Sequence, residues 1–71
     1  MIEYFVKKSL EDNKMIRIVY DNKGTITERD IRVLSMKGDR ISAYCYLRES
    51  KRTFLMGNIL AAEFTKIEDM I

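Results

Sequence analysis

The feature that most constrains the fold is an alternation of apolar and polar residues in the middle of the chain, over residues 40–48. Successive side chains of a β-strand point to opposite faces, so this alternation predicts a strand with one face buried on a core. The residues of the buried face are apolar: Ile41, Ala43, Cys45 and Leu47. Those of the opposite face are two tyrosines flanked by two arginines, with one serine: Arg40, Ser42, Tyr44, Tyr46 and Arg48.

The aromatic and basic side chains of this second face form a pattern that is typical of a binding surface. Aromatic rings offer a stacking surface to bases, and guanidinium groups bind phosphates or carboxylates through two parallel hydrogen bonds. The pattern therefore predicts binding of single-stranded RNA or DNA, or of a nucleotide, with Tyr44 and Tyr46 on bases and with Arg40, Arg48 and the nearby Arg52 on phosphates. A polar strand face whose aromatics favour the strand conformation is the alternative.

The first residues of the chain have the spacing of a short amphipathic helix. Four apolar residues recur on one stripe: Ile2, Phe5, Val6 and Leu10. The spacing predicts a helix over residues 2–11, which is too short to be stable alone and must pack on the rest of the chain. We expect it to cover one end of a β-barrel. Tyr4 lies beside the stripe, so a helix that binds a partner protein is the alternative.

Four further segments have the character of strands, at residues 15–20, 25–36, 52–56 and 61–67. Gly24 predicts a tight turn over residues 21–24, because glycine accepts a positive φ. The apolar parity of the second strand changes between Val33 and Leu34, which predicts a bulge or a sharp bend. We also expect turns at residues 36–39 and 48–51 and a helical turn at residues 59–60. Phe54, Met56 and Phe64 are expected to face inward, and the tail at residues 68–71 is expected to be frayed.

One helix followed by five short strands, the second of them bent, is typical of an Sm-like or SH3-like small barrel, because a bent strand allows such a barrel to close. The sequence therefore predicts a mainly β protein of one domain, residues 1–71, with a helix over residues 1–13 and a five-stranded small barrel over residues 14–67. Such a barrel leaves edge strands that can pair between subunits, so we also expect a homo-oligomer.

Two segments of the chain resemble the central signature of the WYL domain family. They are Ala43-Tyr44-Cys45-Tyr46-Leu47-Arg48 and Arg52-Thr53-Phe54, followed by Ile59. Upstream, Ile16-Arg17-Ile18-Val19-Tyr20 and Arg29-Asp30-Ile31 resemble the strands that precede this signature. The resemblance covers residues 15–64, most of the chain, and implies the same small barrel.

The chain also departs from the family pattern at positions that concern a ligand. The tripeptide that names the family falls on Asp39-Arg40-Ile41, so its tryptophan and tyrosine are absent. Leu55 and Asn58 stand at two positions where the family has arginine. Because the apolar positions are kept, these departures affect the expected ligand more than the expected fold.

The resemblance implies a function as well as a fold. WYL domains are regulatory modules of bacterial and phage proteins, so the resemblance implies a regulatory role with a nucleic-acid or nucleotide ligand. By match of position it implies that Tyr44, Arg48 and Arg52 contribute to ligand binding. Arg29 also matches a family arginine, and a plain surface charge is the alternative for it.

The distribution of charge favours an anionic partner. The net charge is only +2, but residues 14–56 hold ten basic and five acidic residues, and the rest of the chain holds three and six. Histidine is absent and cysteine occurs once, which excludes a Cys/His zinc site within one chain and an internal disulfide. With no catalytic constellation and no glycine-rich phosphate loop, we expect neither an enzyme nor a cofactor.

Two hypotheses of different classes remain at this point. The first is ligand binding, by six candidate residues: Arg29, Arg40, Tyr44, Tyr46, Arg48 and Arg52. The second is a protein-interaction or oligomerisation module that regulates a partner protein. No apolar run approaches the length of about 20 residues that is needed to span a bilayer, and no secretory leader is evident. We therefore expect a cytoplasmic protein without a membrane partner.

Overall fold

The computed structural model describes residues 1–65 of the chain. Within these residues a helix is followed by five strands, with a 3₁₀ turn before the last strand. The elements are α1 (Ile2–Asp12), β1 (Met15–Asn22), β2 (Thr25–Lys37), β3 (Arg40–Cys45), β4 (Ser50–Leu55), the 3₁₀ turn η1 (Met56–Asn58) and β5 (Ile59–Phe64). The predicted class, mainly β with an N-terminal helix and five strands, is confirmed.

The strands form one antiparallel sheet in the order β4–β3–β2–β1–β5. The first part of β2 pairs with β1 and its last part pairs with β3. The register with β3 shifts between Val33 and Ser35, so Leu34 is a bulge, as the change of parity predicts. Because the bulge bends β2, this strand belongs to both halves of the sheet, an arrangement consistent with a small barrel.

One face of the sheet carries the core, and we call it the inner face and its opposite the outer face. Residues that alternate along the strands are buried there: Ile16, Ile18, Ile31, Val33, Ile41, Ala43, Cys45, Phe54 and Ile59, with Val6 from α1. Full burial of a side chain such as isoleucine contributes about 1.5–3 kcal/mol, so this face fixes the register of every strand.

The helix α1 covers one end of the inner face, as expected from its apolar stripe. Val6 is buried and Ile2, Phe5 and Leu10 pack against the core. The helix ends at Asp12, and Asn13 takes the left-handed conformation with φ 55°, which is a common way to end a helix.

A residue outside the predicted stripe, Ser9, joins the helix to the sheet. Its side chain is fully buried, and its Oγ donates to the carbonyl of Lys14 at 2.6 Å and accepts from the N–H of Val33 at 2.9 Å. Strand β1 begins at Met15, opposite Arg32, so the N–H of Val33 lies beyond the ladder. The hydroxyl of Ser9 satisfies that buried donor.

The hairpin between β1 and β2 is the tight turn that the sequence predicts. Lys23 and Gly24 have φ values of 54° and 92°, the left-handed geometry of a two-residue hairpin loop. The N–H of Gly24 donates to Oδ1 of Asp21 at 2.8 Å, which fixes the turn.

The far end of β4 is tied to β1 through Tyr20. The ring of Tyr20 meets that of Phe54 edge-to-face, with centroids 5.0 Å apart. The N–H of Leu55 donates to the hydroxyl oxygen of Tyr20 at 3.0 Å, and the N–H of Met56 donates to the carbonyl of Asp39 at 2.8 Å. These contacts bring the two ends of the sheet towards each other.

The inward position predicted for Leu47 is wrong. β3 ends at Cys45, which pairs with Ser50, so the chain reverses over residues 46–49 and not over residues 48–51. Leu47 therefore lies in the turn, outside the strand alternation, and 64% of its side chain is exposed. Glu49 completes the reversal with φ 53°.

The end of the sheet also differs from its prediction. The helical turn is at Met56–Asn58 rather than residues 59–60, because Ile59 pairs with Tyr20 and is buried in the core. β5 therefore begins two residues before the predicted start, and Leu60 forms a bulge at the register shift with β1. The predicted end of this strand, at residue 67, and the tail at residues 68–71 lie outside the described residues.

Candidate nucleic-acid interface

Tyr44 lies on the outer face of β3 between basic residues of the two neighbouring strands. Arg32 of β2 is directly opposite it on one side, and Lys51 of β4 is directly opposite it on the other. Directly opposite residues of an antiparallel pair share a face, with Cβ atoms about 4.5–5.5 Å apart. The register therefore sets one aromatic ring between two cations, and we call Arg32, Tyr44 and Lys51 the basic row.

Tyr46 extends the aromatic surface of the basic row. It is the first residue after β3, and its N–H donates to the carbonyl of Asp30 at 3.0 Å, so it continues the pairing with β2. The rings of Tyr44 and Tyr46 meet edge-to-face, with centroids 5.0 Å apart and an interplanar angle of 74°. Both side chains are half-buried, which holds the two rings in place and leaves part of each open to solvent.

Arg40 and Arg48 lie at the two ends of the predicted surface. Arg40 is the first residue of β3 and shares the outer face with Tyr44, four residues or about 13 Å along the strand. Arg48 lies in the turn over residues 46–49, where no strand register fixes its direction. Both side chains are exposed, and neither forms an ion pair with any residue in the range 1–65.

Arg29 and Arg52 lie on the inner face, away from the basic row. Arg29 is opposite Ile18 and Arg52 is opposite Ala43, and both of these partners belong to the core. The two arginines line a small cavity of about 90 Å³ at the end of the sheet that α1 leaves open. The other lining residues are polar, aromatic or, at Cys45, a core thiol, with no carboxylate among those described: Tyr20, Asn22, Thr27, Cys45, Thr53 and Phe54.

The composition of this cavity suits a small anion. Two guanidinium groups without a carboxylate partner among residues 1–65 can each offer two parallel N–H donors to a phosphate. The hydroxyl of Tyr20 accepts from Leu55 and has its own proton to donate. The structure thus divides the six predicted residues into Arg40, Tyr44, Tyr46 and Arg48 on or beside the outer face and Arg29 and Arg52 on the inner face.

The outer face beyond Tyr46 has the opposite charge. Nε of Arg17 donates to Oδ1 of Asp30 at 2.8 Å and Nη2 donates to Oδ2 at 3.4 Å. The hydrogen bonds that Arg17 donates to Asp30, the charge of Asp30, and the charges of Glu28 and Glu63 raise the pKa of Arg17 above its ordinary value. Three carboxylates therefore surround one guanidinium, and this part of the face is acidic. We call Arg17, Glu28, Asp30 and Glu63 the acidic group.

A second cavity, of about 290 Å³, opens beside the acidic group. It is lined by Arg17, Glu28, Asp30, Tyr46 and Leu47. The two carboxylates that line it, Glu28 and Asp30, repel phosphate. We therefore do not assign the nucleic-acid site to this cavity, although its volume exceeds that of the cavity between Arg29 and Arg52. Arg17 is a partly exposed partner in the ion pair with Asp30.

Neither Arg32 nor Lys51 is among the six residues that the sequence predicts for ligand binding. Neither belongs to the alternating stretch that contains Tyr44, and only the pairing of β2, β3 and β4 brings them to its sides. The one available signal is the parity of Lys51 in β4, which is opposite to that of the buried Phe54 and so places Lys51 on the outer face.

Two kinds of feature are absent from residues 1–65. No group of three or more His, Cys, Asp or Glu side chains there could hold a metal ion. Over the same residues, no helix has both the length and the apolar character that crossing a bilayer requires.

Comparison with solved structures finds a likeness of fold. No family model matches the chain, and no curated protein matches it. The structure is similar to that of proteasome accessory factor B/C (PafBC) of Arthrobacter aurescens, with a TM-score of 0.75 and 21% sequence identity. The match covers 84% of this chain and 10% of that chain, so this chain spans about a tenth of the length of PafBC.

At this identity the likeness shows the fold alone. PafBC contains a WYL domain, so the structural likeness agrees with the resemblance in sequence.

Proposed function

We propose that the chain is a non-catalytic regulatory module that binds single-stranded nucleic acid or a nucleotide. The observation that carries this proposal is the basic row, in which Tyr44 lies between Arg32 and Lys51 on an open strand face. A stacking ring with a cation on each side is the combination that single-stranded nucleic acid needs, because bases stack while cations neutralise the backbone.

In this proposal the two tyrosines and the basic residues have different roles. Tyr44 and Tyr46 stack on successive bases, and each stacked base contributes about 1–3 kcal/mol. The phosphates lie along the cations of β2, β3, β4 and the turn after β3: Arg32, Arg40, Arg48 and Lys51. The acidic group limits the path of the bound nucleic acid, because phosphates that continue past Tyr46 towards Asp30 are repelled by carboxylates.

The cavity between Arg29 and Arg52 suits the nucleotide form of the proposal. Its volume of about 90 Å³ has room for a group of phosphate size, and the half-buried Arg29 and the exposed Arg52 approach it from two strands. A terminal phosphate held there, by two guanidinium groups and the hydroxyl of Tyr20, is the ligand that this chemistry fits best.

A regulatory role in the cytoplasm is part of the same proposal. It is supported by the likeness of fold to PafBC and by the resemblance to WYL domains. We propose that ligand binding on the basic row controls a partner protein or a larger regulator of which this fold is one unit.

A protein-interaction or oligomerisation module is the second candidate function. It is favoured by the outer edges of β4 and β5, which have no strand partner within residues 1–65. The exposed Leu55, which stands where the WYL family has arginine, also suits contact with protein better than contact with phosphate.

The first experiment is a titration of labelled single-stranded RNA and DNA with the purified protein, followed by fluorescence anisotropy at two salt concentrations. We expect binding that weakens steeply as salt rises, since each neutralised phosphate releases a counterion. Arg48→Ala, and Arg40→Ala in parallel, should weaken binding without lowering the melting temperature, because both side chains are exposed.

A competition arm separates the two ligand forms. A nucleoside monophosphate that binds in the inner cavity should leave the oligonucleotide on the basic row, and its own binding should be lost in the double variant Arg29→Ala with Arg52→Ala. A nucleotide that instead stacks on the basic row should displace the oligonucleotide from the wild type and from the double variant alike. Absence of oligonucleotide and nucleotide binding at low salt would remove the ligand-binding proposal and leave the protein-interaction function.

A further inference from the structure

The outer face has a step where β3 ends and β2 continues. β3 pairs with β2 from Ile31 onwards, and the hydrogen bond from Tyr46 to Asp30 extends this pairing by one residue. Residues 25–29 of β2 therefore have β1 on one side and, within residues 1–65, no paired strand on the other. The cavity of about 290 Å³ lies at this step, and we call it the outer cavity. It is lined by Arg17, Glu28, Asp30, Tyr46 and Leu47.

Two walls of the outer cavity suit a flat ligand with apolar faces. The ring of Tyr46 lines the cavity and also packs against Tyr44, so the cavity is continuous with the aromatic surface of the basic row. Leu47 lines it too and is 64% exposed, so a ligand that covers it buries apolar surface. The volume lies just below the range of about 300–1,000 Å³ that is usual for drug-sized ligands, which suits a single base.

Three charged side chains line the outer cavity, and two of them neutralise each other. Nε and Nη2 of Arg17 donate to the carboxylate of Asp30. The charge of Arg17 also acts on Glu28, but no hydrogen bond or ion pair joins these two side chains. Glu63 lies on the other side of Arg17, on β5, and lines a smaller neighbouring cavity. The carboxylate of Glu28 is therefore the acceptor that the outer cavity keeps for a ligand.

The backbone of Glu28 adds a donor beside this acceptor. The carbonyl of Asp30 accepts from Tyr46 on the side of β2 that faces away from β1. Residues two apart in a strand direct their backbone groups to the same side, so the N–H and C=O of Glu28 point into the step. One residue thus offers an anionic acceptor on its side chain and an N–H donor on its backbone.

Among the common bases, guanine has the edge that matches this pair of groups. Its Watson–Crick edge, which single strands leave open for recognition, presents a carbonyl oxygen followed by two adjacent N–H donors. A carboxylate can accept both donors at once. Adenine, cytosine and uracil each place an acceptor next to their N–H group, and that acceptor is repelled by a carboxylate.

We propose that the outer cavity binds one guanine of the single strand that lies on the basic row, and that Glu28 selects it. This inference rests on the proposed binding of nucleic acid. The guanine stacks on Tyr46, its two N–H groups donate to the carboxylate of Glu28, and its carbonyl oxygen accepts from the backbone N–H of Glu28. Because a base is uncharged, the carboxylates that repel phosphate admit it, and the phosphates stay on the basic row.

The test compares labelled oligouridine strands that differ in one central base, by fluorescence anisotropy at low salt. We expect the strand with guanosine to bind about 5- to 150-fold more tightly than the strand with adenosine, which is the discrimination of one two-pronged contact. Inosine lacks the amino group of guanosine and should lose most of this preference. 7-Deazaguanosine keeps the whole Watson–Crick edge and should bind like guanosine.

Glu28→Gln tests the selecting residue. The glutamine amide replaces one acceptor with a donor, so the ratio of guanosine to adenosine affinity should fall to about one. The ratio is the measurement, because loss of a negative charge can raise the affinity for every strand. Glu63→Gln removes the same charge from the acidic group without lining the outer cavity, so it should keep the wild-type ratio. Both side chains are exposed, so a thermal melt should show both variants folded like the wild type.

The outcomes separate this inference from the function on which it rests. If the wild type binds all strands equally, guanine selection is overturned and the basic row stands. If inosine binds like guanosine, or if Glu28→Gln keeps the wild-type ratio, the contact with the Glu28 carboxylate is overturned. If no strand binds at low salt, the inference and the proposed nucleic-acid binding are overturned together.

Discussion

The outer face of the sheet contains two arginines with opposite surroundings. Arg32 lies beside Tyr44, with Lys51 on the next strand, and no carboxylate shares that row within residues 1–65. Arg17 lies two residues from that row and is held by Asp30, with Glu28 and Glu63 close by. The guanidinium of Arg32 thus has no carboxylate beside it in its row, whereas that of Arg17 is neutralised by Asp30.

The difference arises from the register of the strands. In β1 and β2, Arg17 falls directly opposite Asp30, and Glu63 of β5 falls opposite Arg17 on its other side. A shift of one residue would move every one of these side chains to the inner face. The packing of isoleucines on the inner face therefore decides where the outer face is basic and where it is acidic.

The largest effect that we expect tests this dependence on the inner face. Phe54→Ala should lower the free energy of unfolding by about 3–5 kcal/mol, because it removes a buried ring from the core and from its contact with Tyr20. For a domain of this size, each kcal/mol lowers the melting temperature by about 4–8 °C, which a thermal melt measures directly. An unchanged melting temperature would mean that the two faces of β4 have been exchanged.

The next effect concerns the basic row itself. Tyr44→Ala should weaken binding of single-stranded oligonucleotide by about 5- to 150-fold, the equivalent of one stacked base, with little change in the melting temperature. Tyr44→Phe keeps the ring and should bind like the wild type. If the two variants lose affinity equally, the hydroxyl and not the stacking surface of Tyr44 is what the ligand uses.

Much of this face could be predicted from the sequence. The alternation over residues 40–48 places Tyr44 on the outer face and Cys45 in the core, and the structure agrees at both. The bulge at Leu34 follows from the parity change in β2. Period-two alternation is a local property of a strand, so it survives without knowledge of the partners of that strand.

What the sequence could not supply is the relation between strands. The pairings of Arg32 and Lys51 with Tyr44 depend on register across three strands, and no local pattern contains that register. The end of β3 also depends on pairing between strands. Cys45 pairs with Ser50, so the strand ends there and Leu47 lies exposed in the turn. Ser9 was missed because its polar side chain is buried only to satisfy the N–H of Val33.

A smaller effect is expected on the salt dependence of oligonucleotide binding when one cation of the basic row is removed. Lys51→Ala should reduce the slope of log affinity against log salt by about 0.7, the value for one phosphate contact of a single strand. The measurement is an anisotropy titration at four or more salt concentrations. Lys23→Ala, in the exposed β1–β2 turn, is the matched control and should leave the slope unchanged. A slope that Lys51→Ala leaves unaltered would place the phosphates elsewhere than on the basic row.

The smallest effect is expected at Arg17. Arg17→Ala removes no phosphate contact, so the salt slope should stay at the wild-type value, and affinity should fall less than in Lys51→Ala because the Asp30 carboxylate that loses its partner lies beyond the basic row. The effect on stability should also be small, because the ion pair is partly exposed to solvent. The pKa of Arg17 is raised in the folded protein, so its stabilisation is present below the ordinary arginine value and is lost only as pH rises through the raised one. The difference in melting temperature between wild type and Arg17→Ala should therefore be the same at pH 7 and pH 10. A loss of affinity as large as that of Lys51→Ala would show that phosphate reaches Arg17 in spite of its carboxylates, and the two halves of the outer face would then form one binding surface.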